Sequence, residues 1–356
     1  MTMTMARSVV LTGPRQVEVR EVPLPQIGDD DGLLEIESNG LCGSDVEFYD
    51  GGLPGYPSPM ALGHEAVGRV LEIGPSAARR WGVGPGDRVV VNSAIRCGAC
   101  TDCAANRDCR SRSYGTLSPN ERPGLWGGMA THLYLAPGAD ILRLGTDVPV
   151  AAAAFHNPLA NGFEWAVRAG GAAKGSDVVV VGAGPRGMAC VIAAVSVGAR
   201  VTLAGLERDT ERLTLARDMG ADRGLALEGR EPSEIRDALG REVDVVIDTT
   251  PHSVLPIAQG IRAVRPGGRL VLAGIKGAGK ELPVEADTIS LRRLSLVGPV
   301  SKTRASLQQS VDLLNTQCPA LDLLTTASFG LDHVPEAMAT IVSDAVDRPI
   351  HVRIEP

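Results

Sequence analysis

The stretch Asp177-Val-Val-Val-Val-Gly182-Ala-Gly184-Pro185-Arg186-Gly187 constrains the fold of this chain more than any other. A continuous apolar run breaks into G-x-G-x-x-G and resumes as the apolar segment Met188–Val197. Uninterrupted apolar strands belong to parallel sheets covered by helices on both faces. Each glycine has a mechanical reason: Gly182 permits the tight turn, Gly184 lets the backbone approach a pyrophosphate, and Gly187 lets the helix pack on the strand. The free N–H groups and partial positive charge of the helix start then favour phosphate. A G-x-G-x-x-G by itself is also compatible with a plain turn. The readable strand before it and helix after it make this one a dinucleotide site.

The same rhythm continues with a strand at Arg200–Ala204, a helix at Thr210–Met219, a strand at Val243–Asp248, a helix around Val254–Val264 and a strand at Gly268–Ala273. Alternation of this kind indicates an α/β domain. The acidic residue expected on the ribose hydroxyls is Glu207, 20 residues after Gly187. Arg208 beside it would equally suit a 2′-phosphate, so NAD is the favoured coenzyme and NADP the alternative. Thr249 and Gly274, just past the ends of two strands, complete the expected coenzyme set with Gly182, Gly184, Pro185, Arg186 and Gly187.

Residues 1–157 read differently. Short alternating runs such as Arg15–Val22, Gly32–Ser38 and Ala66–Ile73 have the period of two of half-buried strands, and Gly and Pro punctuate them often. A final strand at Pro349–Ile354 is expected to return to this region. The expected division is therefore 1–157 with 301–356 as one β domain, and 158–300 as the nucleotide domain inserted into it. A chain of 356 residues is long enough for two cores.

Seven cysteines are unevenly spread, with Cys97, Cys100, Cys103 and Cys109 within thirteen residues. Four thiolates in one short loop suit a closed tetrahedral zinc site of structural type; the alternative is four thiols without metal. A second, more dispersed set comprises Cys42, Ser44, Asp45 and Glu47, followed by His64-Glu65.

These segments, with the four-cysteine lobe and the later glycine fingerprint in that order, resemble the zinc-dependent alcohol dehydrogenases of the medium-chain dehydrogenase/reductase superfamily. The polyol dehydrogenase branch is the most similar, and the likeness covers essentially the whole chain. It implies a Rossmann doubly wound parallel sheet joined to a mostly β, barrel-like (GroES-like) catalytic domain. It further implies that Cys42 and His64 ligate a catalytic zinc, that Glu65 is an outer or alternating ligand, that Asp45 orients His64, and that Ser44 relays the substrate proton. Glu47 stands where many relatives carry a histidine that passes this proton on. The third ligand departs from the family: the matching segment is Phe155-His156-Asn157-Pro158, and the neutral amide of Asn157 is a poor zinc ligand. Three arrangements remain: His156 swings in, Glu65 ligates directly, or zinc binds weakly or not at all.

The expected activity is hydride transfer between a secondary or cyclic alcohol, or its ketone, and the coenzyme, assisted by zinc. The rivals are a zinc-free NADPH-dependent enone or quinone reductase of the same fold and a non-catalytic, zinc-stapled nucleotide-binding protein. Phe48, Tyr56 and Trp126 are candidate pocket walls, or else ordinary packing. A net charge of −7 without a basic block argues against nucleic acid or anionic membrane as partner. Neither a signal peptide nor an 18-residue apolar stretch is readable, so the cytoplasm is the expected location. A homodimer or homotetramer is expected by resemblance only.

Overall fold

The computed structural model describes residues 4–52, 55–105, 109, 112–229, 231, 233–282, 284–299, 301–316, 319–324, 326–343 and 348–356. The chain divides into two units, one of Met1–Asn157, Val311–Gln317 and Leu324–Pro356, the other of Pro158–Ser310 and Cys318–Leu323.

In the second unit, valines and leucines with every other side chain turned to opposite faces build a parallel six-stranded sheet. Its order is Arg223–Leu227, Arg200–Leu206, Asp177–Val181, Val243–Asp248, Val264–Leu272 and Ser295–Val297. Val179 and Val180 are fully buried, as covering on both faces requires. The helices Pro185–Ser196, Thr210–Asp218 and Leu255–Ala263 connect the strands. Chain order reverses on either side of Asp177–Val181, so the glycine turn that follows this strand lies at the switch point where open α/β sheets take ligands. The short edge strands Arg223–Leu227 and Ser295–Val297 escape sequence reading, the first because arginine and glycine open it, the second because three residues carry no period.

In the first unit, the long strand Gly32–Gly40 organises a seven-stranded sheet. Ala66–Ile73 pairs with it antiparallel along one edge. Along the other edge, His132–Leu135 pairs at residues 32–35 and His351–Glu355 at Asn39 and Gly40. The C-terminal strand thus lies beside Gly40, immediately before Cys42. A three-stranded sheet, Gln16–Pro23, Met5–Gly13 and Met60–Ala61, completes this β-rich unit. Its interior contains Leu34, Val89, Leu133 and Leu135, each nearly or fully buried, and each contributing roughly 1.5–3 kcal/mol of transfer free energy.

The fold class is therefore α/β with a separate β-rich unit. Two expected segments move: residues 301–310 and Cys318–Leu323 group with the second unit. There the Thr303 hydroxyl donates to Glu164 Oε2 at 2.7 Å, and Thr303 N to Ser306 Oγ at 2.8 Å. The division passes through the helix Arg304–Asn315. Among the described residues no helix is long and apolar enough to cross a membrane.

Candidate active site

Helix capping assembles the first donors. Cys42 ends an extended segment and caps the helix Gly43–Tyr49. Its N–H donates to Asp45 Oδ2 at 2.9 Å, while Asp45 N–H donates to the Cys42 carbonyl at 3.0 Å. The helix's need to satisfy its exposed N–H groups thereby holds the Asp45 side chain in place. Asp45 is fully buried, and its Oδ1 lies 3.3 Å from His64 Nδ1. A ring held at Nδ1 presents Nε2 to a cation. Ser44, half-buried, and Glu47, exposed, stand one turn apart on the same helix.

A sulfur of Cys42, a ring nitrogen of His64 and a carboxylate oxygen of Glu65 lie within 4.8 Å of one another. Burial by itself would push the His64 pKa down, yet Asp45 and Cys42 hold it well above the ordinary imidazole value. Burial likewise opposes ionisation of Glu65, but His351, His64 and the Asn157 amide hold its pKa down to about 2. The group thus pairs the buried Asp45 and Glu65 carboxylates with a proton on His64, a positive charge that a cation can replace. A divalent cation balances such a set, and thiolate, imidazole and carboxylate are zinc donors.

At the third-ligand position, Asn157 turns its amide nitrogen toward Glu65, Nδ2 donating to Oε1 at 2.5 Å. His156 is not in the donor group; its Nδ1 lies 3.0 Å from the Ala153 carbonyl, where a helical turn holds it. Glu65 Oε2 has no hydrogen bond among the described residues, and His351 Nε2 stands 3.8 Å away. A Cβ on Gly40 would overlap Glu65 Oε2 and come within 2.9 Å of His351 Nε2. Glycine at 40 is therefore the condition for the carboxylate to sit where it does.

The lobe tests equally well for a cation. Cys97 and Cys103 sulfurs are 3.9 Å apart, Cys100 and Cys109 sulfurs 3.8 Å, and all four lie within 4.8 Å of one another. Four sulfurs each ~2.3 Å from a central zinc in a tetrahedron are ~3.8 Å apart. Disulfide bonding would need ~2.05 Å, and none of these four cysteines is disulfide-bonded. Burial and the neighbouring thiols push Cys103 up to about 11, the resistance of crowded sulfurs to ionising together without a cation.

In the second unit, Gly182 adopts φ 107°, and a Cβ on Gly187 would overlap the Gly182 carbonyl oxygen. Pro185 opens the helix, and the Arg186 guanidinium lies 5.5 Å over the Trp165 ring. The Thr249 hydroxyl donates to the Val181 carbonyl at 2.9 Å, which supports the turn from beneath. Gly274 N–H donates to the Asp248 carbonyl at 2.8 Å. Glu207 and Arg208 are exposed in a 3₁₀ turn after the second strand.

Comparison with known proteins decides the family. Residues 28–146 match the alcohol dehydrogenase GroES-like domain, and residues 172–316 the zinc-binding dehydrogenase domain. A probable alcohol dehydrogenase of Mycobacterium tuberculosis is 36% identical over 362 residues, covering 98% of each chain. The chain belongs to the zinc-binding alcohol dehydrogenase family. The sorbitol dehydrogenase of Mus musculus is 28% identical over 98% of this chain and 96% of its own. Among solved structures, a putative zinc-binding dehydrogenase of Sinorhizobium meliloti 1021 bound to NADP superposes with a TM-score of 0.84 at 28% identity, covering 99% of this chain and 100% of that one.

This alcohol dehydrogenase is an oxidoreductase, and its structure adds residues that sequence reasoning missed. His351 comes from the last strand, 286 residues from Glu65, with no local motif around it; its ring packs edge-on against Phe155 at 5.2 Å. Arg212 is buried in the dehydrogenase's nucleotide unit and donates to the Ala183 carbonyl inside the glycine turn at 3.1 Å. Lys276 Nζ pairs with the fully buried Asp248 at 2.6 Å. Of the pocket candidates, Trp126 is core: it is buried, its Nε1 donates to the Glu121 carbonyl at 2.7 Å, and Tyr134 packs edge-on at 5.3 Å. Phe48 is also buried, with the half-exposed Tyr56 ring edge-on at 4.7 Å. Because no Cβ fits at 187, Gly187→Ala should displace the turn and weaken coenzyme binding by about tenfold or more, ~1.4 kcal/mol per factor of ten. Titration of the purified variant with NAD and NADP checks this; unchanged dissociation constants would mean that the turn tolerates the methyl group.

Proposed function

We propose that this enzyme oxidises a secondary or cyclic alcohol to the ketone, or runs the reverse, with NAD or NADP as hydride carrier and a catalytic zinc held by Cys42, His64 and Glu65. The single observation that supports this most is the buried Cys42–His64–Glu65 donor set, with Asp45 behind His64 and Ser44 on the same capped helix. Bound there, zinc supplies a Lewis acid that lowers the proton affinity of an alcohol oxygen. The nicotinamide coenzyme takes up the hydride.

The residues divide the remaining work. Asp45 holds His64 in the tautomer that leaves Nε2 free for the metal. Asn157 and His351 hold Glu65 ionised and turned toward the donor set. Ser44 accepts the alcohol proton at its hydroxyl oxygen and gives up its own onward, and Glu47, exposed one turn later, receives it at the solvent edge. In the coenzyme site, Gly182, Gly184 and Gly187 with Pro185 and Arg186 bind the pyrophosphate, and Thr249 and Gly274 shape the adjoining turns. The zinc-free reductase drew its support from Asn157; as a donor to Glu65 that residue instead serves a metal site. By the family resemblance we further propose a cytoplasmic homodimer or homotetramer, which light scattering of the purified protein tests for size.

Elemental analysis combined with an alcohol screen tests the activity. Two zinc ions per chain and faster turnover of secondary or cyclic than of carboxylated or phosphorylated alcohols are expected. A fully active enzyme carrying only the metal of the four-cysteine lobe would rule the proposal out.

A further inference from the structure

The Arg200–Leu206 strand runs beside the strand that feeds the glycine turn, and Gly182 N–H donates to the Ala204 carbonyl at 2.8 Å. Gly205 and Leu206 therefore stand at the carboxyl edge of the sheet, next to the phosphate cradle. In dinucleotide-binding sheets an acidic group at this edge takes the adenosine ribose hydroxyls. Here the last two residues of the strand are Gly205 and Leu206, and neither carries such a group.

The space beside Gly205 is not empty. A Cβ there would lie 3.1 Å from both Cβ and Oδ2 of Asp209, and 3.3 Å from Leu213 Cδ2. Asp209, one turn on, folds back so that Oδ2 accepts from Leu206 N–H at 3.0 Å. Among the described residues its Oδ1 makes no hydrogen bond and stays available. Leu206, next to this carboxylate, is 38% exposed, an apolar surface of the kind a purine covers. The helix that begins at Thr210 is strapped to the turn by Arg212, whose Nη1 donates to the Ala183 carbonyl at 3.1 Å. That strap fixes Asp209 relative to the phosphate cradle. Glu207, in contrast, is exposed in the 3₁₀ turn, and its carbonyl accepts from the Thr210 hydroxyl.

We infer that Asp209, returning to the place vacated at Gly205, binds the adenosine ribose hydroxyls in place of Glu207 and makes NAD the preferred coenzyme. A carboxylate accepts hydrogen bonds from both hydroxyls but repels a 2′-phosphate. The inference rests on the coenzyme reading above and specifies its adenosine end.

Asp209→Asn separates this role from helix capping, because the asparagine oxygen still accepts from Leu206 N–H and the volume is unchanged. Direct fluorescence titration of the purified, metal-replete enzyme with NAD and with NADP needs no alcohol. The substitution should raise the NAD dissociation constant by about tenfold to a hundredfold, as loss of a charge-assisted hydrogen bond does, while NADP binds as well or better. Equal weakening of both coenzymes would reduce Asp209 to a structural cap and overturn the inference. So would a shift in the NAD-to-NADP ratio produced by Glu207→Gln and absent in Asp209→Asn, or a preference of the unsubstituted enzyme for NADP. Binding of neither coenzyme by the unsubstituted enzyme would overturn the coenzyme reading itself, and this inference with it.

Discussion

Glu65→Gln should remove one of the two zinc ions from each chain and lower kcat/KM by about a thousandfold, the several kcal/mol that a Lewis acid contributes to such a step. The substitution keeps the shape of the side chain, and the glutamine oxygen still accepts from the Asn157 amide. It removes the negative charge that His351, His64 and Asn157 now stabilise, and an amide is a poor zinc ligand. Metal affinity should therefore fall by more than the ~10–100-fold typical of losing a partner behind a ligand. Asn157→Ala, which removes only such a partner, should fall within that range. The comparison separates the two roles: metal analysis after dialysis gives stoichiometry, and the visible spectrum of the cobalt-substituted enzyme reports on the thiolate site directly. Retention of two ions and full turnover in Glu65→Gln would show that the third ligand lies elsewhere.

The second large effect is on stability. Cys103→Ser, or removal of the lobe metal with a chelator, should lower the melting temperature by roughly 6–12 °C, from a loss of ~3 kcal/mol at 2–4 °C per kcal/mol. Among the described residues, the lobe is tied to its surroundings mainly by hydrogen bonds, such as Arg96 Nη2 to the Cys103 carbonyl at 3.0 Å. Cys97 is exposed and Cys100 half-buried, while Cys103, Cys109 and Asp102 are among its few buried side chains. Among its described residues, four sulfurs are spaced for one tetrahedral ion, and without the ion they would repel one another once ionised. Differential scanning calorimetry and thiol titration check this together, with four newly reactive thiols expected after metal removal. A melting curve unmoved by complete loss of the lobe metal would make the thiols an inert cluster.

The two sites were unequally legible for a physical reason. Glycine spacing after an apolar strand and cysteine spacing within a loop are local patterns, because a turn and a tetrahedral ion each constrain residues only a few positions apart. The strands Ala66–Ile73 and Val243–Asp248 were readable for the same reason, since a strand's side-chain period is written in its own residues. The helix holding Ser44, Asp45 and Glu47 was not recognised, because its seven residues carry a cap but too few turns for a period.

What the sequence determined by itself was the pair of local devices, the glycine turn and the four-cysteine lobe, together with the order of elements that names the family. Tertiary structure decided the rest of the chemistry. Asn157 meets Glu65 across 92 residues, and His351 arrives only because the last strand pairs beside Gly40. Even the carboxylate proposed for the ribose depends on where a strand stops: Arg200–Leu206 runs two residues past its expected end, leaving Glu207 exposed and Asp209 hydrogen-bonded back to Leu206 N–H. A side chain's partners depend on how distant backbones pack, and no short-range pattern in the chain encodes that distance.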